Sequence, residues 1–356
     1  MKLRRRDLLK SSAFAAAACL TGSACRRERT KSEVLSALVQ QVVAPDVHAV
    51  LAASQKLRES VAAFSDAPSL VLLGRAREAC RAALPAWKRA HCFRNGPMVE
   101  TNALLRATFW PARPAAIEAA VSGSAPVDDA LVEALGADAK GVYALEYLLF
   151  PLDLEGARAA SQFEGASGER RRRVLNVLAQ NVANHAESAN RALGDGSAFA
   201  RRFAAASQES LSRLVSQMVS TVETLAANRL SLVLGLAESR LLKPAEVEGW
   251  PSGTSTQLAL AELTGIQRLY GAREGGGLGA LVRAVAPPID LRVQQRVAEA
   301  VRAAQQLGAP LERVVVSNRP ALAAAAAATK ALELALKVDV ASALGVTLTF
   351  QTGDGD

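Results

Sequence analysis

The chain has 356 residues, with 42 Lys and Arg against 34 Asp and Glu, a formal net charge of +8. Nine basic and two acidic residues fall within the first 31 positions, so the other 325 carry a net of only +1, and a basic nucleic-acid-binding body is excluded. Half the residues are apolar and 21% are charged, which excludes a disordered chain, and an alanine content of about one fifth with only 15 aromatic residues favours helices over sheet.

The N-terminus reads as an export signal. Arg5-Arg6-Asp7-Leu8-Leu9-Lys10 precedes the apolar run 13–20, and small residues follow up to Cys25. The apolar run is too short to span a bilayer as a mature helix. The paired arginines followed by Leu8-Leu9-Lys10 resemble the twin-arginine signal, whose pathway carries folded proteins; a Sec signal with an ordinary basic start is the alternative. Gly22-Ser23-Ala24-Cys25 resembles a lipoprotein cleavage site, which makes 1–24 the signal peptide, Cys25 the lipidated residue and 25–33 a basic tether at an anionic membrane surface. Gly22 and Ala24 also suit plain signal-peptidase cleavage. Either way the expected location is the periplasm, with the bacterial membrane as partner if the lipid anchor is present.

From residue 34 onward, helical spacing dominates. Apolar residues recur every three or four positions over 34–64, 70–92, 115–121 and 138–150, with Pro97, Pro111, Pro114, Pro126 and Pro151 as breaks. The small and polar stretch 154–168 is the expected boundary between halves. Helices are predicted over 169–193, a very long run over 199–242, then 255–270, 278–285, 291–307 and 319–344, with a loop at 244–254. Ser317-Asn318 offers an N-cap ahead of Pro320. Only 345–351 alternates like a short strand. The expected class is all-α, two packed helical bundles over 34–160 and 168–356.

Few motifs carry chemistry. The chain has no HExxH, no phosphate-binding Walker loop and no serine nucleophile elbow. Gly275-Gly276-Gly277-Leu278-Gly279 follows a helix rather than a strand, so it reads as a turn between helices. His48, His91 and His185 lie in separate helices and read as partly exposed helix residues. Cys80 and Cys92 are too far apart along one helix to pair and read as buried small residues. Arg170–Arg173 reads as a solvated basic face near a helix start.

Seven of the 15 aromatic residues lie between Trp87 and Phe150, where they either fill the first bundle's core or wall a cleft. Within this stretch stands Gly141-Val142-Tyr143-Ala144-Leu145-Glu146-Tyr147-Leu148-Leu149-Phe150. With Trp87, Phe93-x-x-Gly96-Pro97, Trp110-Pro111, Ser252-x-x-Ser255, Leu263-x-Gly265-Ile266, Tyr270-Gly271, and the ending from Leu344-Gly345-Val346 through Asp354-Gly355-Asp356, it forms an ordered set. That set resembles the imelysin family, the M75 peptidase-like proteins, from about residue 34 to the end. The family motif is Gly-x-His-x-x-Glu, and Tyr143 stands where its histidine belongs.

The resemblance implies an all-helical protein associated with iron uptake and regulation, some of whose relatives are described as peptidases. It implies a site around Tyr143 and Glu146, and a ligand cleft drawn from Trp87, Phe93, Gly96, Pro97, Trp110, Gly141, Tyr147, Ser252 and Ser255. A zinc hydrolase lacking the motif histidine has too few donors, and a phenol binds well only to a strongly Lewis-acidic ion such as Fe(III). Three readings stay open: a degenerate site in which Tyr143 packs and Glu146 keeps a structural bond, a ferric site completed by other carboxylates, and a metal-free cleft for a peptide or small ligand. Glu146 lies on an otherwise apolar face and needs a partner, for which Arg106 and Arg113 are candidates. The expected function is an exported, lipid-anchored, non-catalytic binding or accessory protein in iron acquisition. A metal-dependent peptidase acting through Glu146 and a degenerate structural relative are the alternatives. Iron-uptake components or a peptide ligand are the expected partners, and iron the only cofactor implied.

Overall fold

The computed structural model describes residues 29–151, 156–239, 246–271 and 276–349. The signal peptide 1–24, Cys25 and tether residues 26–28 lie outside the described residues. The tether's last residues do not form a free leash: Lys31, Ser32 and Glu33 are the first turn of a helix. Thr30 caps it, with its side chain accepting from Glu33 N–H and the Glu33 carboxylate accepting from Thr30 N–H at 2.7 Å.

The described residues are mostly helical and contain no strand. The first long rod is α1 (Lys31–Leu38), a π segment (Val39–Val43) and α2 (Ala44–Asp66), all continuous. Pro45 explains the π turn: it has no N–H to give, and its ring cannot approach the carbonyl four residues back, so the preceding turn widens. α3 (Leu70–Ala90) is capped by Ser69 and tolerates Pro85 internally. Short helices follow: α4 (Pro97–Glu100), α5 (Ala103–Thr108), α6 (Pro114–Ser122) and α7 (Asp129–Ala134).

The helix predicted over 138–150 is shorter than expected. A 3-10 turn (Ala137–Ala139) precedes it, Lys140 is extended, and α8 (Gly141–Leu149) starts at Gly141. α9 (Gly156–Ser161) and the long α10 (Gly165–Leu193) complete this region.

The run predicted over 199–242 as one helix is several. It divides into α11 (Ser197–Ala205), α12 (Ser207–Thr224), a π segment (Leu225–Ser231) and α13 (Leu232–Ser239), with a break at Ala206, whose ψ is 47°. Apolar periodicity carries across such a break because both helices bury the same side. After the loop come α14 (Ser255–Gly271), α15 (Leu278–Val285), α16 (Pro287–Gln305), α17 (Leu311–Ser317), α18 (Arg319–Leu334), a π segment (Ala335–Val340) and α19 (Ala341–Leu344). Asn318 caps α18, accepting from Ala321 N–H at 3.3 Å. The strand expected at 345–351 is absent from its described part, 345–349, which is a turn followed by irregular chain with no strand among the described residues to pair with.

Packing explains the layout. α2 lies against α3 and α10, while α8 inserts among α3, α5 and α10. By contact, α10 thus groups with the N-terminal helices, although it follows the polar stretch 154–168. A second group is formed by α12, α16 and α18. α14 touches both groups: it packs on α16 and on α3, where Gly265 allows close approach, since a Cβ there would stand 2.6 Å from Cys92 Sγ. Cys80 and Cys92 are free and buried, as their spacing predicts. The C-terminal end of α3, the buried α8, the π segment 225–231, the loop 246–254 and α14 meet between the two groups.

Candidate functional site

α8 is apolar on nearly every side and buried on nearly every side, the behaviour expected of a central helix. Gly141 sets its entry. Its φ is +81°, and a Cβ there would lie 2.6 Å from the Ala107 carbonyl oxygen, so a side chain is excluded both by conformation and by contact. Three residues apart, Tyr143 and Glu146 share a face of α8 and both meet the loop 246–254.

Around Tyr143 is a closed network of opposite charges. The Tyr143 hydroxyl donates to the Glu248 carboxylate. Lys88 Nζ donates to Glu248 Oε1 at 2.5 Å and stands 3.7 Å from Glu262. Arg229 Nε lies 2.7 Å from Glu248 Oε2, off the hydrogen-bond line, and Arg229 Nη1 donates to Glu262. Two cations therefore alternate with two carboxylates, and all but Arg229 are buried. Burial alone pushes the Glu248 carboxyl up, but Lys88 and Arg229 outweigh it and pull it down to about 2. Burial works against the Arg229 charge, yet Glu262 and Glu248 hold its pKa above the ordinary value. Burial and the neighbouring Glu248 raise the Tyr143 phenol well above 10. Tyr143→Phe removes one bond to a charged acceptor while Lys88 and Arg229 remain, so it is expected to cost about 2 kcal/mol of unfolding free energy in urea; an unchanged midpoint would show that this bond adds nothing.

Glu146 sits beside this network. Its Oε1 accepts from Ser252 N–H at 3.3 Å and from the Ser252 hydroxyl. The loop that brings Ser252 is held by Arg81, whose Nε donates to the Ser252 carbonyl at 2.9 Å. Burial drives the Glu146 carboxyl up to about 7, only partly offset by the Ser252 bonds. The partner of Glu146 is thus a serine, not Arg106 or Arg113, which pair with Glu133 at 2.8 Å and Asp138 at 3.0 Å at the surface.

The residues present do not fit a metal ion. Among the described residues, no group of three or more His, Cys, Asp and Glu is placed to hold one. The donor set gives the reason. A ferric phenolate needs Tyr143 deprotonated, which burial and Glu248 oppose. The carboxylates of the network, Glu248 and Glu262, already have an ammonium and a guanidinium against them, which would repel an incoming cation.

Beside the network opens a cavity of about 400 Å³. Its polar side carries Lys88, Arg229, Glu248, His91 and Arg94; its apolar side carries Met98, Leu104, Trp110 and the outward-facing Val99, Leu105 and Phe109. Burial and the charges of Lys88, Arg94 and Arg229 depress His91 to about 3, so this ring is neutral.

Of the residues expected to wall a cleft, Trp110 lines this cavity. Ser252 contacts Glu146, and Ser255 donates to Glu312 at 2.7 Å. The others have different roles. Trp87 is buried and donates from Nε1 to Ser54 at 3.0 Å. Phe93 packs edge-on to Phe199 and Phe203, and Gly96 fits beneath Phe199 at the start of α4, followed by the buried Pro97. Gly141 sets the backbone of α8, and Tyr147 lies half-buried beside Glu118 and Arg171.

The basic run Arg170–Arg173 is more than a solvated face. Arg171 forms a two-pronged bond to Glu118 at 2.9 and 3.1 Å, Arg170 donates to the Ala120 and Ala125 carbonyls, and Arg172 donates to the Ser65 carbonyl. These arginines reach carbonyls and a carboxylate of neighbouring segments, so burial of α10 against them recruits the run. His48 is exposed and His185 half-buried, as expected.

Sequence reasoning missed Lys88, Arg229, Glu248 and Glu262. Lys88 follows Leu84 by four on the buried face of α3, and Glu262 stands between Leu258 and Ile266 on that of α14. A charge inside an apolar stripe signals a buried ion pair, and both positions carried that signal.

Two solved structures share this fold. One is described as a putative iron-regulated protein A precursor from Parabacteroides distasonis ATCC 8503, with a TM-score of 0.72, 16% identity and coverage of 88% of this chain and 95% of that one. The other is an imelysin-like protein from Psychrobacter arcticum 273-4, with a TM-score of 0.69, 16% identity and coverage of 90% and 97%. Comparison with curated protein sequences gives no match. The family model for imelysin, peptidase M75, matches residues 43–339, which is most of the chain and takes in every residue of the buried network. This chain therefore belongs to the imelysin family.

Proposed function

We propose that this chain is a non-catalytic binding member of the imelysin family, exported and lipid-anchored at Cys25, which serves as an accessory protein in iron acquisition. The observation that carries the non-catalytic part is the closed network: Lys88 and Arg229 occupy the carboxylates that a metal would need, and the Tyr143 phenol donates to one of them. The cavity beside it supplies a place for a ligand without metal chemistry. The iron connection rests on the family and on a structural neighbour described as iron-regulated.

The test measures metal content and metal response. Purified protein is expected to hold substoichiometric iron and zinc, to show no phenolate-to-iron absorption band, and to keep its Tm when Fe(III) or Zn(II) is added, because a ligand that binds only the folded state would raise it. It is also expected to cleave no member of a mixed peptide pool. Near-stoichiometric iron with a visible band lost in Tyr143→Phe would overturn the metal-free reading. Metal-dependent cleavage abolished by Glu146→Gln would establish the peptidase instead. The iron link is tested separately: the transcript is expected to rise under iron chelation, and an unchanged level would remove that part of the proposal.

A further inference from the structure

The cavity beside Tyr143 and Glu248 is asymmetric in charge and in polarity. Among the described residues, Lys88 and Arg229 each have carboxylate partners, but Arg94 has none within ion-pair distance. Its guanidinium donates from Nη2 to the Ser220 hydroxyl at 3.3 Å. Arg94 is half-buried and lines the cavity. Lys88, Arg94 and Arg229 thus face two carboxylates, Glu248 in the lining and Glu262 behind it, which leaves one positive charge uncompensated. Burial lowers the pKa of the Arg94 guanidinium, so a counter-charge in the cavity would relieve a real cost.

The part of the lining drawn from 98–110 is mostly apolar, with Asn102 and Thr108 among it. Val99, Leu105 and Phe109 are 46%, 57% and 40% exposed, yet they stand together at one cavity with Trp110 and the buried Met98. Scattered exposed apolar residues are ordinary, but three of them around a basic recess are a binding surface in composition. A volume of about 400 Å³ suits a small organic molecule.

We infer that this cavity binds an organic carboxylate with an apolar body, the carboxylate meeting Arg94 beside Lys88 and the body lying against Leu105, Phe109 and Trp110. The inference deepens the proposed binding function and rests on it. A free acid and the C-terminus of a short peptide offer the same chemistry. The guanidinium supplies paired donors that suit a carboxylate, and the site excludes a cation by the same uncompensated charge.

Intrinsic tryptophan fluorescence of the full chain, titrated with 2-naphthoate, 2-naphthamide, N-acetyl-Ala-Phe and its C-terminal amide, tests it. At least one carboxylate is expected to bind about tenfold or more tightly than its amide. If 2-naphthoate shows the preference, the source is a free acid; if only the peptide does, it is a chain terminus. Arg94→Gln is expected to reduce the preference below about threefold, and Leu105→Glu, which places a like charge at the mouth, to abolish carboxylate binding. Both sites reach solvent, and an unchanged Tm shows that each variant folds. Equal affinity for acid and amide overturns the inference but leaves a binding cavity. Absence of binding by every probe overturns it too, as does a preference that survives Arg94→Gln. The metal measurement above decides the underlying reading independently.

Discussion

Glu248→Ala is expected to destabilise the protein by about 3–5 kcal/mol, the largest effect of any single substitution at the site. Glu248 is buried and takes contacts from Lys88, Arg229 and Tyr143 together. Its removal leaves a buried ammonium sharing Glu262, at 3.7 Å, with Arg229, and leaves the phenol without an acceptor. Urea denaturation at pH 7 measures the loss, and a change below about 1 kcal/mol would show that the network is not closed in solution. The double variant Lys88→Met/Glu248→Gln separates pairing from packing. It removes one charge of each sign and keeps Arg229 with Glu262, so it is expected to be more stable than the sum of the single variants predicts. Additive losses would show that Lys88 and Glu248 do not act as a pair.

The same geometry explains what the sequence disclosed and what it hid. Periodicity located the long helices because each buries a stripe, and it located α8 through a run, 141–150, that is mostly apolar apart from Glu146, but it passed over the short helices α4, α5, α7, α9 and α17, which are too brief to repeat a pattern. It failed where two helices bury the same side in succession, as at Ala206, whereas the rod predicted over 34–64 runs unbroken because Pro45 is absorbed by a π turn. The motif positions Tyr143, Glu146 and Ser252 were legible as residues, and the resemblance placed them together. Their chemistry was not legible, because it depends on Lys88, Arg229, Glu248 and Glu262, which come from four separate segments. Tyr143 and Glu248 are 105 positions apart and Lys88 and Glu248 are 160 apart. No spacing rule connects such residues; only the packing of α3, α8, α14 and the π segment does. Aromatic content misled in the same way. Trp87 and Phe93 looked like cleft walls, but large side chains in an alanine-rich chain are the main core fillers, and both are buried there.

Arg229 lies in a π segment, and such segments recur at functional sites because the extra residue re-aims a side chain. Here it sets a guanidinium between Glu248 and Glu262. This fixed internal cation gives the site a permanent counter-charge that no chelator can remove. Lys88 and Arg229 neutralise Glu248 and Glu262, leaving Arg94 as the charge in excess.

The pH dependence of stability divides between two carboxylates with opposite signs. Glu248 has its pKa depressed from 4.5 to about 2, so its contribution is present above pH 4.5 and is lost as pH falls toward 2. Glu146 has its pKa raised from 4.5 to about 7, so the folded state favours its protonated form. Its contribution is complete below pH 4.5 and is lost as pH rises through about 7. A shift of that size corresponds to ~3 kcal/mol across the window. Together the two groups predict maximal stability near pH 4.5–5, flanked by an acid limb from Glu248 and a neutral limb from Glu146. Glu146→Gln mimics the protonated acid and still offers an oxygen to Ser252, so it is expected to flatten the neutral limb and to leave the acid limb in place. Above pH 7 the variant is then more stable than the parent by up to ~3 kcal/mol, because it no longer buries an ionised carboxylate. Unfolding free energies from urea titrations at intervals between pH 3 and pH 8 measure both limbs. Superimposable profiles for parent and variant would show that Glu146 ionises freely in the fold, and the apolar setting of α8 would then have to admit water to its carboxylate.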